Sequence, residues 1–343
     1  MNPERHPPVL ALLGPTASGK TDLALALAER WPIDIVNMDS AQVYRGMDIG
    51  TAKPDAAARA RVPHHLFDHV DPAEAYSAGR FVRDARAAIE HIQAIGRIPL
   101  LVGGTVLYFR ALRDGLAPLP AADAAVRERL AARAAKVGWA ALHAELARVD
   151  PPAGQRVHPH DAQRIQRALE VWELTGMPLS EHWARARHQG VALRAVALMP
   201  SDREWLHQRI ATRLKAMFAA GFLDEVARLR ARADLSDTLP AMRAVGYREA
   251  WMYLAGQMTQ TSLFDAVLHA TRQFAKRQLT ALRPLSAVEC VDPAGSGDLS
   301  TVMTGLGLPA RSLDGRAILG QAPQKRALTD DQVPPGQSAG KRP

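Results

Sequence analysis

Three short apolar runs, at residues 9–13, 33–37 and 98–102, punctuate the first hundred positions, each the length of a strand buried on both faces. Between them, residues 21–30 and 77–94 repeat apolar side chains at the spacing of a helix with one buried face. This alternation predicts a doubly wound α/β domain with a parallel sheet. After Pro120 the pattern changes: residues 123–149 and 162–175 are helical in period, interrupted by Pro151-Pro152 and by Gly176-Met177-Pro178. A further run at 195–198 returns the chain to the sheet, and Ser201, with Glu204 three residues on, predicts the N-cap of a long helix. Helical patterns then dominate 202–232 and 263–282, before Gly, Ser and Pro replace periodicity beyond Asp292. The expected organisation is a first part of the core at 1–118, a helical insertion at 119–195, and completion of the core with basic C-terminal helices at 196–292. Residues 293–343 are expected to form a disordered, dispensable tail.

At 343 residues, 47% of them apolar, the chain is long enough for two cored domains. Lys and Arg number 43 against 35 Asp and Glu, and the net charge of +8 favours an anionic partner without naming one. The single cysteine, Cys290, excludes an internal disulfide framework and suits a reducing compartment. The segment MNPERHPP lacks the apolar core of a secretion signal, and no run reaches the roughly 18 apolar residues of a membrane span. A cytoplasmic monomer that stays off membranes is expected.

The chemistry begins where the first apolar run ends. Gly14-Pro15-Thr16-Ala17-Ser18-Gly19-Lys20-Thr21 fits the pattern GxxxxGK[ST]. In such a loop the glycines let backbone N–H groups wrap a polyphosphate, the lysine reaches the outer phosphates, and the threonine hydroxyl can ligate Mg²⁺. The helix that follows turns its positive end toward the anion. The fold class is therefore α/β, a P-loop NTPase-like parallel sheet with flanking helices plus a helical insertion. The loop by itself leaves open whether the phosphates belong to ATP or to another diphosphate.

Asp39, which opens Asp39-Ser40-Ala41-Gln42, lies two residues beyond the second predicted strand and thus at the same carboxyl edge as the loop. It can act as a general base, orient a nucleophile, hold Mg²⁺ through water or cap the loop. The third strand ends in Gly103-Gly104-Thr105, where many P-loop nucleotidases place a carboxylate for Mg²⁺, and this argues against a plain ATPase. Basic segments follow. Arg243-Ala244-Val245-Gly246-Tyr247-Arg248 combines guanidiniums with an aromatic ring, a composition suited to phosphate contact and base stacking. Helix 263–282 carries Arg272, Lys276 and Arg277, with Arg283 just beyond, giving it a cationic face that is a solvated surface or an RNA contact. Gln163-Arg164-Ile165-Gln166-Arg167 is similarly polar and basic.

In order along the chain, GPTASGKT at 14–21, DSAQVYRGMDIGTAKP at 39–54, HHLFD at 64–68, DPAEAYSAGRF at 71–81 and GRIPLLVGGTVLYFRAL at 96–112 resemble the tRNA dimethylallyltransferases, also called tRNA isopentenyltransferases. HPHDAQRIQRALEV at 158–171, RAVGYRE at 243–249 and TRQFAKRQLTALR at 271–283 extend the likeness, which covers roughly residues 9–290 in the bacterial form, without a zinc-finger extension. Ala244 departs from the cysteine frequent at its position. The resemblance implies transfer of a dimethylallyl group from dimethylallyl diphosphate to the exocyclic amine of adenosine 37 in the tRNA anticodon stem-loop. The loop of residues 14–21 would then grip the donor's diphosphate rather than ATP, with Lys20, Thr21, Mg²⁺ and Arg213 stabilising it as it leaves. Asp39 would take or orient the amine's proton, and Thr105 and Arg127 match positions that face donor and tRNA. The flipped base would enter a channel whose RNA side is lined by 39–42, 163–167 and 243–248, together with Lys276, Arg277, Gln278, Leu279, Thr280, Ala281, Leu282 and Arg283. The histidines at 64, 65, 69, 158 and 160 are not expected to hold zinc. Two rivals share parts of this pattern: a small-molecule kinase, which leaves the basic segments unexplained, and a non-catalytic RNA-binding ATPase, which gives Asp39 no proton to take.

Overall fold

The computed structural model describes residues 7–117, 119–186, 190–295 and 299–309. The core begins β1 (Val9–Leu13), α1 (Lys20–Ala28), β2 (Ile33–Asn37), α2 (Ala56–Arg61), β3 (His64–His65), α3 (Ala78–Ala94), β4 (Ile98–Gly103) and α4 (Val106–Asp114). The insertion follows as α5 (Ala124–Val137), α6 (Trp139–Val149), α7 (Pro151–Arg156), α8 (Ala162–Thr175) and α9 (Leu179–Ala186). The core resumes with β5 (Leu193–Leu198), α10 (Arg203–Ala219), α11 (Phe222–Arg230), α12 (Tyr247–Leu254), α13 (Gln260–Leu282), β6 (Val288–Val291) and α14 (Leu299–Leu306).

The six strands are parallel in the order β3-β2-β4-β1-β5-β6. Every residue of β1 and β2 is buried, as expected of strands covered on both faces. Side chains alternate across β1: Leu10 and Leu12 pack with Leu23 and Leu27 of α1, and Ala11 and Leu13 pack with Phe81 and Ile89 of α3 and Phe109 of α4. The carboxyl ends of β1, β2 and β4 converge on one edge, so the P-loop, Asp39 and the Gly103-Gly104 turn open into one cleft.

Two sequence expectations are corrected, and the helical stretches are borne out with breaks that the sequence did not mark. The helical stretches 123–149 and 202–232 are each two helices, broken at Gly138 and Gly221, whose φ values of 82° and 91° favour glycine. The cap expected at Ser201 falls to Asp202, whose carboxylate accepts from the N–H groups of Glu204 and Trp205 at 2.7 and 3.1 Å, while the Ser201 hydroxyl donates to Asp292. The chain beyond Asp292 is not uniformly structureless. In α14, Leu299, Val302, Met303 and Leu306, with Leu308 after it, are buried against the β1–α1 side of the sheet. Truncation after Asp292 would therefore remove core side chains, and the expectation of a dispensable tail is withdrawn for 299–309; residues 310–343 lie outside the described residues.

The insertion has its own core, in which Val126, Leu130, Leu142, Leu146, Ile165 and Leu169 meet. At its heart the fully buried Glu170 accepts from Arg127 Nε and Nη2 at 2.9 and 3.1 Å, from Arg167 Nη1 at 2.7 Å and from the Asp123 N–H at 2.8 Å. Burial pushes the Glu170 carboxyl up, but these hydrogen bonds outweigh it and hold the group below the usual glutamate range.

Candidate active site

The P-loop turns from β1 into α1 through Gly19, at φ 93°, so that the amino end of the helix points into the cleft. Ser18 Oγ and Lys20 Nζ both donate to the Pro15 carbonyl, at 2.9 and 2.7 Å. Protein packed around Lys20 removes water and lowers its pKa to about 8; the Asp39 charge opposes this shift and the Arg213 charge adds to it. Two later elements brace the loop. Gln278 of α13 accepts from the Thr16 N–H at 2.8 Å and donates to the Gly104 carbonyl at 3.1 Å. Arg213 of α10 donates through Nη2 to the Thr16 hydroxyl, and burial lowers its pKa to about 10.

Asp39 is held rigidly. Asn37 accepts from its N–H at 2.9 Å and donates to its carbonyl at 3.1 Å, while Asp39 Oδ1 accepts from the Ala41 N–H at 2.9 Å. Oδ2 has no hydrogen-bond partner among the described residues and is available to a ligand. Thr105 Oγ1 accepts from the Ser40 N–H at 3.1 Å, tying the end of β4 to the residue after Asp39.

Two cavities meet here. The first, of about 480 Å³, is lined by Thr16 to Asp22, with Asp39, Gln42, Arg209, Arg213 and Gln278. The second, of about 460 Å³, has walls that include Tyr44, Tyr76, Phe222, Tyr247 and Phe274, with Arg243 and Arg277 also lining it. Thr16, Asp39, Thr51 and Arg213 line both. One chamber is thus walled by the P-loop and cationic side chains and the other by aromatic surface, and Asp39 stands between them.

The family model for IPP transferase matches residues 42–284, and that for isopentenyl transferase matches 7–62. The chain is 61% identical to the tRNA dimethylallyltransferase of Alkalilimnicola ehrlichii over 81% of its length and 88% of that protein. The chain belongs to the IPP transferase family. Solved relatives agree. The tRNA isopentenylpyrophosphate transferase of Bacillus halodurans is 37% identical, with a TM-score of 0.59 over 83% of this chain and 89% of that one. The corresponding structure from Staphylococcus epidermidis is 28% identical, with a TM-score of 0.63 over 88% and 99%. A eukaryotic dimethylallyltransferase captured acting on tRNA shares the fold, with a TM-score of 0.72 at 24% identity over 89% and 81% of the two chains. This IPP transferase is accordingly a prenyltransferase with a P-loop NTPase-like fold, and no helix among its described residues is long and apolar enough to cross a membrane.

The structure brings some of the transferase's sequence-predicted residues together and separates others. Thr16 to Thr21, Asp39 and Arg213 share the first cavity; Ser40, Ala41, Arg243, Ala244, Val245, Gly246 and Arg277 line the second. Arg127 lines neither, because Glu170 holds it in the insertion, with 43% of its side chain exposed. Thr105 lines neither and acts on the site through Ser40. Gln42 and Gln278, expected on the RNA side, face the first cavity, and Gln42 Nε2 donates to the Thr51 and Ala52 carbonyls. Ile165 and Leu282 are core residues and cannot touch RNA. Tyr247, expected as a stacking platform, is fully buried at the cavity wall, edge-on to Phe222 with ring centroids 5.3 Å apart. Among the remaining residues, Gln163, Arg164, Arg248, Lys276, Thr280 and Arg283 are exposed.

The sequence reading missed Glu225 of α11. Only 2% exposed, this carboxylate accepts from the N–H groups of Asp48, Ile49 and Gly50 at 2.9, 2.8 and 3.1 Å and from the Tyr247 hydroxyl at 2.5 Å. It fixes the loop that carries Thr51 to the segment that carries Arg243. An acid at helical spacing among arginines gives no sign of this role in the sequence. For Mg²⁺, the Thr21 hydroxyl lines the first cavity and has no hydrogen-bond partner among the described residues. No cluster of three or more His, Cys, Asp or Glu side chains among those residues forms a metal cage. A site of this kind fits Mg²⁺, which binds one or two protein oxygens together with substrate phosphates and water. The strand β4 offers no carboxylate, and a Cβ at Gly103 would lie 2.1 Å from the Met38 carbonyl oxygen.

Proposed function

We propose that this IPP transferase moves a dimethylallyl group from dimethylallyl diphosphate to N6 of adenosine 37 in the anticodon stem-loop of tRNA, releasing diphosphate. The observation that carries the reading is the position of Asp39 in the walls of both cavities. The P-loop chamber suits the diphosphate, and the aromatic chamber suits an adenine flipped out of its stack.

An adenine amine is a weak nucleophile, so the site must hold it about 3–3.5 Å from the allylic carbon in line with the leaving group. The C1–O bond breaks as the N6–C1 bond forms. The electron pair goes to the diphosphate oxygen, and the N6 proton goes to Asp39 Oδ2. Lys20, Arg213 and the loop N–H groups face the charge that develops on the departing diphosphate, in a chamber where such contacts are stronger than in water. Lys20 donates to the Pro15 carbonyl of its own loop and is positioned to exchange that carbonyl for a phosphate oxygen. Thr21, with phosphate oxygens, would hold Mg²⁺, which supplies further neutralisation of the leaving group. Arg243 and Arg277, at the aromatic chamber, would meet phosphates flanking the target base.

The test is transfer of label from radioactive dimethylallyl diphosphate to unmodified tRNA. Label on the adenosine beside the anticodon, lost in Lys20→Ala, is the expected result. ATP hydrolysis or phosphorylation of a small molecule, with no transfer, would overturn the reading in favour of a kinase or ATPase.

A further inference from the structure

One cation of the first cavity has no assigned part in this reaction. Arg209 lies one turn before Arg213 on α10, a spacing that sets two guanidiniums side by side on one helix face. Both line the first cavity, but only Arg213 also lines the second, so Arg209 lies toward the side away from the reacting centre. Its geometry is fixed from behind. Nε donates to the Ala17 carbonyl at 2.9 Å, and the guanidinium carbon lies 4.9 Å from the centre of the Trp205 ring. Ala17 is itself held at φ 63°, a left-handed conformation that side-chain-bearing residues disfavour and that a tertiary hydrogen bond helps to hold. With Nε engaged and one face on the indole, Nη1 and Nη2 have no hydrogen-bond partner among the described residues.

The charge balance of the cavity points the same way. Lys53 is neutralised by Asp48 and Asp68, and Arg61 pairs with Glu29. Lys20, Arg209 and Arg213 have no salt bridge among the described residues and crowd one another; the lowered pKa of Arg213 reflects burial first, the Asp39 charge opposes it, and the charge of Arg209 adds to it. Asp55 is engaged as the cap of α2, and Asp22 is exposed on α1. Asp39 faces Lys20 and Arg213, and three cations gathered beside a P-loop form a site that is completed by a polyanion.

We infer that Arg209 is a ligand of the donor's terminal phosphate, gripping it with Nη1 and Nη2 while Arg213 serves the phosphate next to the reacting carbon. This rests on the first cavity being the donor's. Arg209 thereby selects a diphosphate over a monophosphate, and Arg213 acts at the bond that breaks.

The experiment is titration of the full-length enzyme, without tRNA, with inorganic diphosphate, inorganic phosphate, dimethylallyl diphosphate and ADP, comparing wild type with Arg209→Gln and Arg209→Lys. Arg209→Gln should weaken both inorganic diphosphate and dimethylallyl diphosphate by about 10- to 100-fold, at least tenfold more than it weakens phosphate. In transfer assays it should raise the KM for the donor while changing kcat less and leaving the KM for tRNA unchanged. Arg209→Lys should restore part of the affinity. Equal weakening of phosphate and diphosphate would make Arg209 a brace for the P-loop and overturn the inference, as would unchanged diphosphate binding or a loss confined to ADP. Because these titrations need no acceptor, an enzyme that binds diphosphate through Arg209 yet transfers nothing would refute the proposed function and leave the inference standing.

Discussion

The two cavities that meet at Asp39 are built in opposite ways. The first takes its P-loop edge from consecutive residues, Thr16 to Thr21, to which later elements add Gln278 as a brace and the guanidiniums of Arg209 and Arg213. The second takes its aromatic walls from Tyr44, Tyr76, Phe222, Tyr247 and Phe274, which are scattered over more than half of the chain. The difference follows from what each contacts. A phosphate is gripped by backbone N–H groups, and these converge only where a short local turn aims them, so the requirement is written as a motif. A planar base needs apolar area, which any segment can supply, so no motif is required.

The largest expected effect comes from Asp39, the carboxylate that lines both cavities. Asp39→Ala should lower transfer by about 10²- to 10⁴-fold in single-turnover measurements while donor affinity changes only a few-fold. If donor binding fell as far as the rate did, Asp39 would belong to the first cavity alone. Next is the anchor of the second. Glu225→Ala leaves three part-buried backbone N–H groups and the buried Tyr247 hydroxyl without an acceptor, and should destabilise the protein by about 3 kcal/mol in denaturant titrations. Residual folded enzyme should show a raised KM for tRNA before any change in donor affinity; the reverse order would mean that Glu225 serves the first cavity instead.

The first cavity alone should respond to pH through Lys20. The ammonium is present below a pKa of about 8 and is lost as pH rises through it. Diphosphate affinity should therefore hold below that value and fall by about tenfold one unit above it, a dependence that Lys20→Arg should remove from direct binding curves. The smallest effect belongs to the rim of the second cavity. Arg277→Ala should reduce the salt slope of tRNA binding by about one and leave donor affinity untouched. An unchanged slope would take Arg277 off the RNA side.

What was legible in the sequence followed the same division. Strands β1, β2 and β4 were visible because a strand buried on both faces is a continuous apolar run. β3 was not, since His64 and His65 join the sheet edge without any apolar signature. The breaks at Gly138 and Gly221 were hidden because the apolar period continues across each glycine while only the backbone turns. Loss of regular composition after Asp292 was mistaken for loss of structure, although α14 needs only one apolar face to dock. At the site, the P-loop and Asp39 were readable from spacing. Glu225 and Arg209 were not, and Gln278 was expected on the RNA side rather than at the P-loop, because each acts across more than 170 positions on backbone groups that the sequence does not mark.

Gly103 limits where this scaffold can go. Nucleotide hydrolysis on P-loop folds commonly relies on an acidic side chain at the end of the strand that β4 represents. Here that position abuts the Met38 carbonyl oxygen so closely that even a single added carbon would collide with it at 2.1 Å. An aspartate could be installed at 103 only by separating β2 from β4, the two strands that hold Asp39 and Thr105 in register. The step from prenyl transfer to ATP hydrolysis is thus closed to point mutation at that position, and a carboxylate for Mg²⁺ would have to come from elsewhere in the cleft.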